Sequence, residues 1–249
     1  MKFNAWVSCP RPEPDATFRM FCLPFAGGGA SLYRSWGEEL GADIEVCPIQ
    51  LPGRESRVGE PAHHDFSVLA SALANQLSLY LDRPYFIYGH SMGALLAFEA
   101  IRALQESGQA LPQIAFLGAH RAAHLKPRRQ SMLELDDAEF IARISAFGGF
   151  QKEVLESEEL LNFILPTLRA DFSICDGYEY AGGDPIDCPI VAISGAHDPE
   201  VPPEDMGAWQ EHTRHPVQHI TLDAGHFFIK THSESLISVI RRFARQVMV

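Results

Sequence analysis

The chain reads as a single α/β domain spanning residues 1–249: a mostly parallel sheet, helices on both faces, and a helical insertion at about 125–181. Three observations point there. Short apolar runs alternate with segments of helical spacing, the pattern of strands joined by helical crossovers. A length of 249 residues suits one such domain with room for an insertion. One long stretch before the final strands contains no strand pattern at all.

The elements follow in order. "FRMFCLPFA" (18–26) and "IEVCPIQLP" (44–52) read as strands, preceded by a Pro-rich, charged segment that reads as a loose arm. "FSVLASALANQLSLYL" (66–81) carries apolar residues at helical spacing. "YFIY" (85–88) is a buried strand, followed by a helix over 94–105. "IAFLGA" (114–119), "PIVAISG" (189–195) and "VQHITLDA" (217–224) are three more strands, and "SESLISVIRRFARQV" is the last helix. Between the fourth and fifth strands, "DDAEFIARISAFGGF" and "KEVLESEELLNFILPTLRADFSICDGY" predict three or four helices. Asp136 with Glu139 has the spacing of a capping box. The insertion exceeds what a crossover needs, which predicts a lid.

Composition excludes several functions. Hydrophobic content of 46% and charged content of 21% are those of a globular protein. Twenty basic residues against 32 acidic ones give a net charge of −12, so nucleic acid and anionic membrane surfaces are not expected partners. No apolar run is long enough to span a membrane, and the N-terminus lacks the core of a signal peptide. The five cysteines are widely spaced with no CxxC pair, which predicts reduced thiols and a cytoplasmic location. No His, Cys and Asp grouping has metal-ligand spacing, so no metal or cofactor is expected.

"YGHSMG" carries the chemistry. It matches G-x-S-x-G, with a strand before and a helix after. A turn that tight needs small flanking residues, here Gly89 and Gly93, and it lifts the Ser91 hydroxyl clear of the sheet. It also sets Ser91 at a helix N-terminus, where developing negative charge is favoured. A serine needs a base and an orienting acid. Asp198 in "AHDPEVPPE" and His226 in "GHFF" each follow a strand, so both fall at the same sheet edge as Ser91. Asp184, Asp187 and Asp223 are alternative acids, although the first two precede their strand. His90 is expected to pack beneath the turn, and His197 to point away from its neighbour Asp198. An oxyanion needs two backbone donors. Met92 supplies one, and Ala26 or Phe25, in the glycine-rich "PFAGGGAS" after the first strand, supplies the other. That run does not continue into the Gly-Lys-Ser/Thr of a phosphate loop.

"LPFAGGGASLYRSW", "QLPGRESR", "YGHSMGALLAFE", "LRADFSICDGYEY", "ISGAHDPEVPPEDMGAW" and "LDAGHFFI", taken together, resemble the type II thioesterases, editing enzymes of polyketide and nonribosomal peptide assembly lines. The resemblance runs through nearly the whole chain after residue 17. It implies an α/β-hydrolase fold with a helical lid, a catalytic triad at Ser91, Asp198 and His226, and oxyanion donors at Ala26 and Met92. It implies hydrolysis of stalled or wrongly primed acyl groups from the phosphopantetheine of an acyl or peptidyl carrier protein, met transiently by a monomer. The chain departs from the family at "AHRAAH", where a "SGRRAP"-like run is usual. Other readings are a carboxylesterase or lipase on oxygen esters, a chain-releasing thioesterase, usually fused to a synthase, and a hydrolase-fold binding protein. Phe140, Phe147, Phe150, Phe163 and Phe172 are candidates for walls of an acyl pocket. An acidic carrier would need a basic patch, for which Arg54, Arg57, Arg121, Lys126, Arg128 and Arg129 are candidates.

Overall fold

The computed structural model describes residues 4–146, 148–150 and 152–248. Six strands form one sheet: β1 (Phe18–Leu23), β2 (Ile44–Pro48), β3 (Tyr85–His90), β4 (Ile114–Gly118), β5 (Ile190–Gly195) and β6 (Gln218–Leu222). Their order is β2-β1-β3-β4-β5-β6, and all five pairings are parallel. The helices are α1 (Trp36–Leu40), α2 (Phe66–Leu77), α3 (Met92–Glu106), α4 (Asp137–Ala146), α5 (Lys152–Leu155), α6 (Glu158–Asp176), α7 (Phe228–Thr231) and α8 (Ser233–Val247).

Parallel strands buried on both faces need apolar side chains on both sides. β3 and β4 are buried along their whole length, and their alternate residues feed two separate cores. Ile87, Ala115 and Leu117 meet α2 and α3, while Phe86, Tyr88 and Phe116 meet α1 and α8. A smaller third core, with Met132, Phe140, Ile144, Leu165 and Leu168, belongs to the segment between β4 and β5. That segment holds α4, α5 and α6 and no strand among the described residues. The capping box at the start of α4 is present: Glu139 N–H donates to Asp136 Oδ1 at 2.9 Å, and Asp136 N–H donates to Glu139 Oε2 at 3.4 Å.

Two expectations need correction. The N-terminal arm is docked from residue 4 onward. Val7 is fully buried and bridges Ile49 antiparallel, and Ser8 N–H donates to the Pro48 carbonyl. β2 ends at Pro48, although Ile49 N–H beyond it still donates to the Cys22 carbonyl at 2.8 Å. β1 ends at Leu23, where Pro24 offers no N–H. The fold also contains a charge the pattern did not reveal. Arg19, 1% exposed on β1, pairs with Glu45 at 2.7 Å and Asp82 at 2.6 Å.

The turn from β3 into α3 is where backbone crowding is greatest. A Cβ on Gly89 would lie 2.1 Å from the Gly93 carbonyl oxygen, and one on Gly93 would lie 2.4 Å from the Leu23 carbonyl oxygen. Backbone atoms cannot yield as a flexible side chain can. Gly89→Ala and Gly93→Ala should each destabilise the protein by about 3 kcal/mol or more in urea unfolding. Gly59→Ala, which meets nothing within 4 Å, should stay within about 0.5 kcal/mol of the parent.

Candidate active site

Ser91 sits on that turn with φ 53° and ψ −119°, a conformation a non-glycine residue holds only under constraint from its surroundings. Its N–H donates to the Gly118 carbonyl at 2.8 Å, which ties the turn to the end of β4. Asp198 follows β5 and His226 follows β6. All three therefore stand at the C-terminal edge of the sheet, as the spacing predicted. Ser91 Oγ and His226 Nε2 are 3.0 Å apart, and His226 Nδ1 and Asp198 Oδ2 are 2.8 Å apart. The carboxylate can only accept, so Nδ1 carries the proton and Nε2 is left to accept from the serine. Asp198 Oδ1 takes the N–H groups of Glu200 at 2.8 Å and Val201 at 3.1 Å, which fixes the carboxylate plane. The alternative acid Asp223 instead meets His197 at 2.8 Å on the exposed surface, so His197 does point away from Asp198.

His90 lies fully buried beneath the turn. Its Nε2 meets the His226 carbonyl at 2.9 Å and its Nδ1 meets the Tyr88 hydroxyl at 2.8 Å. A carbonyl can only accept, so Nε2–H donates and Nδ1 accepts from Tyr88. Burial, then the neighbouring His226, holds the His90 imidazole well below its ordinary pKa. A neutral His90 thus supports the backbone of His226.

Ser91 and His226 open into a cavity of about 340 Å³. Phe25, Ala26 and Met92 border it beside the serine, and Ile144, Phe150, Val154, Ile164, Leu168 and Phe172 form an apolar end. The five phenylalanines therefore separate. Phe150 and Phe172 line the cavity; Phe140 supports Phe172 from behind, ring centroids 5.4 Å apart; Phe163 is 63% exposed; Phe147 lies outside the described residues. His120, Arg121, Arg129 and Glu200 form a polar wall. Burial, then Arg121, pushes the His120 imidazole down to about 3.

The expected basic patch does not assemble. Arg54 and Arg57 are each 7% exposed and paired with Asp171 and Glu60. Arg129 is held between Asp176 and Glu200, and Arg121 faces the cavity. Arg128 is exposed but paired with Asp205 at 2.6 Å, which leaves Lys126 as the exposed cation of the set without an ion pair among the described residues. Arginine in "GRESR" reads as surface charge in the sequence because its carboxylate partner, Asp171, lies 117 positions away.

One grouping has the reach for a metal. Cys9, Glu45 and Cys47 bring their ligand atoms within 4.8 Å of one another among the described residues. They lie on the arm and β2, and none of them lines the cavity. Glu45 Oε2 is taken by Arg19, and burial first, then Cys9, pushes the Cys47 thiol up. The sequence gives Asp171 no role, and the fold pairs it with Arg54 beside the Gly27–Gly28 backbone. Asp171 had a signal. It falls three residues after Leu168 and three before Ile174, on the buried stripe of α6, where a carboxylate requires a partner.

With the geometry in place, known proteins give the class. The Thioesterase domain family matches residues 18–244. Linear gramicidin dehydrogenase LgrE of Brevibacillus parabrevis is 38% identical over 249 residues, covering 99% of this chain and 95% of its own. Gramicidin S biosynthesis protein GrsT of Aneurinibacillus migulanus is 33% identical, covering 98% and 96%. The solved type II thioesterase BorB from the borrelidin biosynthetic cluster superposes with a TM-score of 0.88 at 32% identity, covering 97% of this chain and 98% of that one. The chain belongs to the thioesterase family, and it has the α/β-hydrolase fold. It is a hydrolase acting on thioesters, and its relatives serve nonribosomal peptide and polyketide biosynthesis. Among the described residues no helix is long and apolar enough to cross a membrane.

The buried imidazoles set a pH dependence of stability. His90 and His120 stay neutral in the folded chain, whereas in the unfolded chain they titrate near 6.5. Below that pH the unfolded state binds more protons, so stability falls as pH drops. Urea unfolding should show a loss beginning at about pH 6.5, approaching about 1.4 kcal/mol per pH unit for each imidazole. His120→Gln should make the decline shallower.

Proposed function

We propose that this thioesterase is an editing enzyme that removes short stalled acyl groups from the phosphopantetheine thiol of acyl or peptidyl carrier proteins. The observation that carries the reading is the continuous relay from Asp198 through His226 to Ser91, with bonds of 2.8 and 3.0 Å, opening into a cavity with an apolar end. Ser91 attacks the thioester carbonyl while His226 takes its proton. The N–H groups of Met92 and Ala26 bind the oxyanion, the first from the free N-terminal turn of α3. His226 then gives its proton to the departing thiol and activates a water that releases the acid. Asp198 holds the imidazole tautomer and stabilises its charged form.

The cavity favours editing over release of a finished chain. About 340 Å³ is at the small end of ligand sites, which suits short acyl groups. The lid is the α4–α6 segment, whose side chains supply the apolar end. A redox reading, suggested by the name of LgrE, finds no support in the glycine-rich run after β1. A dinucleotide turn opens directly into a long helix. Gly27–Gly29 instead leads to a short turn at Ala30–Tyr33 and the five-residue α1.

Ser91→Ala should lower turnover of acyl carriers by about six orders of magnitude while leaving the unfolding curve unchanged. Mass spectrometry of a panel of acyl carriers, before and after treatment, measures this and ranks the acyl groups. Residual turnover of Ser91→Ala near the parent's would refute the assignment, and so would failure of a fluorophosphonate to label Ser91. Phe172→Ala and Phe150→Ala should shift preference toward longer acyl chains by about ten-fold in kcat/KM, the worth of one or two methylenes. Phe163→Ala should leave the profile unchanged.

A further inference from the structure

The loop that carries Ala26 is held from outside the sheet. The Phe25 carbonyl accepts from Gly28 N–H at 2.8 Å, closing a turn whose third residue, Gly27, has φ +78°. A type II turn requires that conformation there. The Phe25 carbonyl and the Ala26 N–H share one peptide plane, so whatever fixes this turn fixes the direction of that N–H. Two side chains do so. Gly27 N–H donates to Asp171 Oδ2 at 2.7 Å, and Arg54 Nη1 donates to the Gly28 carbonyl at 3.3 Å.

Asp171 and Arg54 are themselves joined by two bonds, 2.6 Å from Nη1 to Oδ2 and 2.7 Å from Nη2 to Oδ1. Their side chains are 2% and 7% exposed. Asp171 belongs to α6. The same face of α6 sends Thr167 Oγ1 to the Gly53 carbonyl at 2.7 Å. It also sends Leu168 so close that a Cβ on Gly27 would lie 2.6 Å from Leu168 Cδ2. A buried ion pair adds little to stability over apolar groups of the same shape. What apolar groups could not do is accept from Gly27 and donate to Gly28.

We propose that Asp171 and Arg54 are positioning residues for thioester hydrolysis. Acting through the Gly27 and Gly28 backbone, they set the direction of the Ala26 N–H, so that α6 is part of the hydrolytic machinery as well as a wall of the cavity. Neither side chain touches a reacting atom. The proposal rests on the reading of Ser91, Ala26 and Met92 given above.

The test compares Asp171→Asn, Arg54→Lys and the paired Arg54→Met/Asp171→Leu. For each variant the readouts are kcat and KM on an acyl-pantetheine thioester, the inhibition constant of an acyl trifluoromethyl ketone, and the Tm. Ser91 Oγ adds to the ketone carbonyl carbon, its proton passes to His226 Nε2, and the broken C=O π bond leaves a tetrahedral oxyanion in the same place as that of the intermediate. Asp171→Asn is expected to lower kcat about ten-fold or more with KM changed less than about two-fold, and to weaken the ketone by the same factor as kcat/KM. Arg54→Lys, which keeps the charge but loses the paired donors, should retain more activity than Asp171→Asn. The paired apolar variant should recover the Tm lost by a single substitution without recovering kcat. Recovery of kcat together with Tm would overturn the proposal, because the pair would then be structural only. Equal ketone affinity in parent and Asp171→Asn would overturn it while leaving the Ser91 reading intact. A parent enzyme untouched by the ketone would bring down both.

Discussion

Backbone packed against backbone at the end of β3 governs this molecule. Gly89 lies against the Gly93 carbonyl, and Gly93 against the Leu23 carbonyl, with no room for a side chain between them. That contact brings α3 hard onto the sheet and forces the chain to reverse over one residue. Ser91 is that residue, and its positive φ is the result. The hydroxyl is presented above the sheet, the first N–H groups of α3 lie beside it, and the strand-end loops bearing Asp198 and His226 are within reach. The strain at Ser91 is tolerated because the two cores on either side of β3 and β4 over-determine the backbone.

Around this turn each polar group is fixed by another that cannot move easily. Asp198 is held by two N–H groups of its own loop, His226 by Asp198 on one side and by His90 beneath its backbone. His90 in turn is held by Tyr88, one β-strand pleat away. Burial keeps His90 neutral, and a neutral ring can donate to one partner and accept from the other at once. Preorganisation of this kind lets dipoles act without reorienting during the reaction.

Much of this was legible in the residues. The six strands, the order of Ser91, Asp198 and His226, and the cap at Asp136 all express local rules: a period, a tight turn, a spacing of three. The final helix, Ser233–Val247, is bounded as its amphipathic pattern predicts. What stayed hidden depends on pairs distant along the chain. Arg54 reads as surface charge until Asp171 is folded over it, and nothing local shows that Arg19 of β1 is buried between Glu45 and Asp82. The N-terminal arm reads as loose for the same reason, since nothing local announces that Val7 bridges Ile49. Phenylalanine enrichment between β4 and β5 indicated an apolar layer there, but only the geometry separates Phe150 and Phe172 from the outward Phe163.

The position of α6 has a consequence for how such a chain can diversify. Among the described residues, every hydrogen bond from the 119–189 segment to the loops at 24–31 and 50–57 comes from α6, through Thr167 and Asp171. Ile144, Phe150 and Val154, on the preceding α4–α5 stretch, meet the apolar end of the cavity instead. Helix α6 thus does two things, since Ile164, Leu168 and Phe172 also border that end, whereas the α4–α5 stretch touches the cavity alone. Substitutions at Ile144, Phe150 and Val154 can remould the volume available to a cargo without touching the hydrogen bonds of Thr167 and Asp171.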